Sequence, residues 1–107
     1  MTKNISDTEI SISIIINNKL SIASAMNISD RWWISRVNVQ ESERKKGLGT
    51  KLLTELIKQI KDKDKISSIM VAPGGYNFPY NYQVAFYKKN GFISLPDEEG
   101  IFVYDNK

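Results

Sequence analysis

Between residues 9 and 16, Ile10, Ile12, Ile14 and Ile16 alternate with Ser11 and Ser13, a period of two that predicts a strand with one buried face. Asn17-Asn18 follows. Asparagine tolerates positive φ, so this pair suits a tight hairpin loop leading into a second strand over residues 20–26. A third strand is predicted over residues 33–39, where strict alternation puts Ser35, Val37 and Val39 on one face and Ile34, Arg36 and Asn38 on the other. From Leu48 the period changes. Leu48, Leu52, Leu53, Leu56, Ile57 and Ile60 share one stripe at helical spacing, with Lys51, Glu55, Lys58 and Lys61 on the other side. The polar run from Lys61 to Lys65 ends this helix, and residues 66–72 are apolar enough on both faces for a central strand. Such a strand, helix, strand unit pairs its two strands in parallel, with a right-handed crossover.

Residues 73–82 are rich in Pro, Gly and Asn and predict a long loop. A short helix over residues 83–89 closes at Asn90-Gly91, a pair suited to a left-handed C-terminal cap. Residues 92–95 and 101–104 form a last hairpin. The pattern describes one α/β (α+β) domain over residues 1–107: a mixed sheet with an N-terminal antiparallel hairpin, a central β-α-β unit, a short second helix and a C-terminal hairpin.

Composition narrows the chemistry. The chain has no cysteine and no histidine, which excludes disulfides, thiolate catalysis and most zinc sites and leaves acid–base work to carboxylates, Tyr, Lys or water. No metal is expected. The longest apolar run, Ile14-Ile15-Ile16, is far short of the ~20 residues of a membrane span, and no signal-like apolar core follows Met1. A cytoplasmic setting without membrane contact is the expectation. A net charge of +3 favours an anionic ligand without pointing to nucleic acid. At 107 residues the core is small, so a homodimer would add stability.

The junction from Val39 to Thr50 joins a strand to an amphipathic helix through Gly47 and Gly49. The first turn of a helix offers N–H groups without intrahelical partners, and its dipole adds positive charge there. Glycines let the backbone approach a diphosphate, while Arg44, Lys45, Lys46 and Lys51 supply formal charge. Two other phosphate motifs do not fit: there is no G-x-x-x-x-G-K-[ST] loop, and Leu52 stands where G-x-G-x-x-G needs glycine.

Val39, Arg44-Lys45-Lys46-Gly47-Leu48-Gly49 and Phe86-Tyr87-Lys88-Lys89-Asn90-Gly91-Phe92 together resemble the GNAT superfamily of N-acetyltransferases. That family carries a strand ending in valine, then [QR]-x-x-G-x-[GA] opening a long helix, and later an aromatic-Tyr-x-x-x-Gly-Phe segment. The resemblance implies acetyl-CoA as co-substrate, with backbone groups of Val37, Asn38 and Val39 along the pantetheine arm. It implies main-chain N–H groups of Arg44, Lys45, Lys46, Gly47, Leu48, Gly49 and Thr50 on the pyrophosphate. Tyr87 takes the place of the tyrosine proposed to protonate the departing thiolate.

Departures from the family pattern bear on one cofactor contact, at Tyr80, and on the acceptor side. Tyr80 stands where many members place Asn, and Trp33 stands where protein lysine acetyltransferases place a glutamate base. No general base is assigned; Glu41, Glu43 and Asp30 suit solvated surface positions. No room is expected before Glu9 for the usual first strand and the two helices that wall the acceptor site. An open site lined by Trp32, Trp33, Tyr76, Phe78, Tyr80 and Tyr82 would admit a small-molecule or a protein amine. For Trp32-Trp33 the alternative is packing in the core or a dimer contact. Two other readings stay open: a basic nucleic-acid-binding module, disfavoured by Glu55, Asp62 and Asp64 among the helix lysines, and an acetyl-CoA-binding regulatory protein.

Overall fold

A computed structural model describes residues 1–74 and 79–105. Its single sheet has seven strands in the order β1-β2-β3-β4-β5-β7-β6. The first hairpin forms as the isoleucine alternation predicts: β2 (Glu9–Ile16) turns through Asn17 and Asn18, both at positive φ (52° and 62°), into β3 (Lys19–Ile28). Ile10 faces Ala25 and Ile12 faces Ala23 across this pair. All four side chains are fully buried. A strand also precedes Glu9, contrary to expectation. β1 (Thr2–Ile5) pairs antiparallel with β2 and supplies one edge of the sheet. It escapes a pattern reading because all four residues are exposed, so no apolar alternation marks it.

β3 leads into β4 (Arg31–Asn38) through a second tight turn, Ser29-Asp30, again with both φ positive (53° and 61°). β4 therefore starts earlier than predicted. The strict alternation predicted for it is also broken. Ala25 pairs with Ile34 but Ser24 pairs with Arg36, so Ser35 is an extra residue, bulged against one position of β3. The bulge resets parity. Trp32 and Ile34 before it and Val39 after it all reach the core, and the Ser35 hydroxyl bonds that of Ser24 at 2.8 Å.

Helix α1 (Leu48–Lys63) lays Leu52, Leu53, Leu56, Ile57 and Ile60 onto one face of β2, β3 and β4. Burying five such side chains contributes roughly 1.5–3 kcal/mol each. The helix ends at Asp64. Its carboxylate accepts the N–H groups of Ile66 and Ser67 and the Ser67 hydroxyl, bonds that hold its pKa below the usual value, with a lesser contribution from the Trp32 indole N–H nearby. That turn claims residues predicted to be strand, so β5 shrinks to Ile69–Val71 and Ile66 is 96% exposed. β5 is central and buried on both faces, parallel to β4 and antiparallel to β7 (Phe102–Tyr104).

Helix α2 (Tyr80–Lys89) begins three residues earlier than predicted. Pro79, at φ −55°, accepts the N–H groups of Tyr82 and Gln83, the pre-set geometry that proline supplies at a helix start. Gly91, at φ 95°, closes the helix as expected and leads into β6 (Phe92–Ser94), which pairs with β7 at the other edge. Among the described residues no helix is long and apolar enough to cross a membrane.

Candidate active site

β4 and β5 stay paired only at Trp32–Ile69 and Trp33–Met70. Beyond that point they part: residues 34–39 of one and 71–74 of the other line opposite walls of a cleft of about 890 Å³. The loop from Glu43 to Gly47, the start of α1 and one side of α2 complete it. The bulge at Ser35 sits just past the last paired residues, so the local twist of β4 and the loss of pairing coincide.

The loop that enters α1 is shaped by backbone conformation. Lys45 and Gly47 both have positive φ (66° and 78°), and a Cβ at Gly47 would meet nothing within 4 Å. The first intrahelical bond runs from Lys51 N–H to the Gly47 carbonyl, leaving the N–H groups of Leu48, Gly49 and Thr50 without an intrahelical acceptor at the positive end of the dipole. N–H groups so placed can hold an anion. Gly49 has a packing role as well. A Cβ there would lie 3.3 Å from Phe86 Cε1 and 3.5 Å from Val39 Cγ2, so its lack of a side chain lets β4, α1 and α2 meet at one point.

Of the predicted site residues, Val37, Asn38, Val39, Arg44, Lys45, Gly47, Leu48, Gly49, Thr50 and Tyr87 all line the cleft. Lys46 does not. Its ammonium pairs with Glu43 at 3.1 Å, and with Lys51 it borders a separate pocket of about 240 Å³. The Val39 carbonyl, among the backbone groups expected along the ligand arm, accepts a hydrogen bond from Arg44 Nε at 3.0 Å. That bond ties the start of the loop to the end of the strand.

Tyr87 is 6% exposed, with edge-to-face contacts to Phe86 and Phe92 at 5.3 and 5.4 Å between ring centres. Burial pushes its phenol pKa up to about 12, so it holds its proton throughout the neutral range. Arg36, Arg44, Lys45 and Lys89 give the walls a positive character, against which Glu43 is the one carboxylate among the described lining residues.

The aromatic acceptor lining is largely not assembled. Trp32 is 1% exposed in the core, Trp33 is half-buried away from the cleft, and Tyr80 lies exposed at the α2 start. Tyr82 does line the cleft. Tyr76 and Phe78 lie outside the described residues. Arg36 and Lys89 were not singled out from the pattern. Arg36 sits in a strand whose alternation the bulge disguises, and Lys89 resembles any basic residue in a last helical turn.

The sequence matches the Acetyltransferase (GNAT) domain family over residues 11–94, and the chain belongs to that family. No curated protein gives a significant sequence match. Solved structures share the fold. The anti-CRISPR protein AcrVA5 matches with TM-score 0.68 and 17% identity, over 89% of this chain and 98% of that one. The ribosomal-protein-S18-alanine N-acetyltransferase from Escherichia coli matches with TM-score 0.70 and 18% identity, over 92% and 70%. The PaiA N-acetyltransferase from Thermoplasma acidophilum, in complex with coenzyme A, matches with TM-score 0.67 and 18% identity, over 90% of this chain and 58% of that one.

Proposed function

We propose that this chain is an N-acetyltransferase that moves the acetyl group of acetyl-CoA directly to a primary amine. The observation that carries the reading is the meeting of Val39, Gly49 and Phe86 at the cleft where β4 and β5 part, with the protonated Tyr87 beside it. Membership of the family and the solved relative bound to coenzyme A support the donor. The pyrophosphate fits the N–H groups of Leu48, Gly49 and Thr50, with Lys45 beside them and no Cβ at Gly47 to block approach.

When bound, acetyl-CoA supplies a thioester whose carbonyl carbon the amine nitrogen attacks. The C–N bond forms and the C–S bond breaks. The Tyr87 hydroxyl gives its proton to the sulfur as negative charge develops there, so its effect falls on the transition state. The amine proton leaves to water, and water returns a proton to the Tyr87 oxygen. Glu43 is engaged by Lys46, and the position of the family's glutamate base holds Trp33.

That missing base also suits a protein that only binds acetyl-CoA, and turnover separates the two. Incubation with acetyl-CoA and a panel of amine-bearing peptides and small molecules is expected to release free thiol in step with acetylated amine, detected by mass. Binding without either product would leave a sensor, not an enzyme. A nucleic-acid module has less support, because Lys63 pairs with Asp7 and Lys61 stacks on the Tyr104 ring.

A further inference from the structure

β3 distributes its side chains in the reverse of the usual order for a strand with one solvated face. Toward α1 it turns the small residues Ser21, Ala23 and Ala25, all buried. Toward the other face it turns Leu20, Ile22, Met26 and Ile28, with Ser24 in the middle of the row, buried and bonded to Ser35. Leu20, Met26 and Ile28 are exposed and Ile22 is half-buried. Exposed Ile15 stands beside Leu20, and half-buried Trp33 beside Met26. Both described helices pack on the opposite face. A sheet face left to water reads polar, whereas a contiguous apolar row of this length marks a contact surface.

Two charges of opposite sign border the row on its two sides. Glu9 of β2 is in register with Met26, and Arg31 of β4 with Ile28. Both are exposed, and among the described residues neither has an ion-pair partner. A two-fold axis running along β3 between two such faces lays each copy's β2 over the other's β4. Each Glu9 then comes beside the partner's Arg31, and the apolar row of β3 meets itself. Arg36, the other charge that β2, β3 and β4 show on this face, falls opposite Ser11, so no like charges meet. Self-complementarity of this kind is what an isologous dimer requires. Spread over β1 to β5, at about 4.8 Å per strand and up to ten residues of ~3.3 Å, the face offers on the order of 600 Å² per copy. Two such faces reach the ~1,200 Å² at which stable interfaces begin.

We infer that this face is the interface of a symmetric homodimer, two copies packed sheet to sheet with Glu9 of each on the partner's Arg31. The inference goes beyond the acetyl-transfer reading and does not depend on it. Light scattering during gel filtration, at tens of micromolar protein, is expected to give twice the chain mass of 12.2 kDa.

Glu9→Arg and Arg31→Glu are each expected to raise the dimer Kd by about 10²-fold, because either change sets two pairs of like charges against each other. The double variant Glu9→Arg, Arg31→Glu is expected to return to near the wild-type Kd, a recovery that loss of folding cannot produce. A monomeric wild type at these concentrations would leave the face to another partner and overturn the inference. So would a dimer that neither reversal weakens, since its interface lies elsewhere, or two weakened single variants whose combination does not recover.

Discussion

Gly49→Leu is expected to abolish acetyl-CoA binding and lower stability by roughly 1–3 kcal/mol, the usual cost of forcing extra methylenes into a packed site. The cause is local. The first added carbon already lies 3.3 Å from Phe86 and 3.5 Å from Val39, and the rest of a leucine side chain has to displace α1 from α2 or from the end of β4. Either movement misaligns the first-turn N–H groups with the cleft. Gly49→Ala is the control, because its single carbon needs Phe86 to yield only a few tenths of an ångström. Equilibrium binding, with circular dichroism to establish that both variants are folded, is the check. A folded Gly49→Leu protein that binds acetyl-CoA like the wild type would show that this packing point does not shape the donor site.

Tyr87→Phe is expected to slow acetyl transfer by about 10²-fold or more, the scale of a lost general acid, with acetyl-CoA affinity nearly unchanged. The ring contacts with Phe86 and Phe92 survive the change, and only the hydroxyl is lost. The same substitution has a signature in stability. Folding raises the Tyr87 pKa from about 10 to about 12 through burial. Between those values the unfolded chain has lost a proton that the folded chain keeps, so stability falls as pH rises through the window, by on the order of 2–3 kcal/mol in all. Phenylalanine has no proton to lose, so urea unfolding at pH 9 and pH 11 is expected to show a smaller drop for the variant. Equal turnover by the two proteins would remove the acid role. An equal drop in stability would show that the phenol is not protected by burial.

Elements with strong local periodicity were legible from sequence. The isoleucine alternation and Asn17-Asn18 specify the first hairpin, and the leucine stripe specifies α1. Elements fixed by side-chain-to-backbone bonds or by edge pairing were not. β1 has no buried face to mark it, and the Asp64 turn takes Ile66 and Ser67 out of a strand that their hydrophobicity and position suggest. The bulge at Ser35 is a matter of pairing with Ser24 and Ala25, and one sequence alone carries no register.

The cleft walls on α1 and α2 were legible for a related reason. Gly47, Gly49, Val39 and Tyr87, which come together at the cleft, stand at set spacings along one β-α-β unit and the helix after it, so their order survives in the sequence. Arg36, by contrast, reaches the cleft wall through a register that the Ser35 bulge resets and that no spacing along the chain reveals. Aromatic residues near each other in sequence misled there. Alternation sends Trp32 into the core and Trp33 to the opposite face, away from the cleft.

Thermal unfolding with increasing acetyl-CoA tests the central claim most directly. A ligand bound only by the folded chain adds RT ln(1 + [L]/Kd) to its stability, about 2.7 kcal/mol at a hundredfold excess over Kd. In a domain of this size that corresponds to a rise in Tm on the order of 10 °C. Such a rise is expected in the wild type and in Tyr87→Phe, and none in Gly49→Leu. An unchanged wild-type Tm at millimolar acetyl-CoA would contradict it.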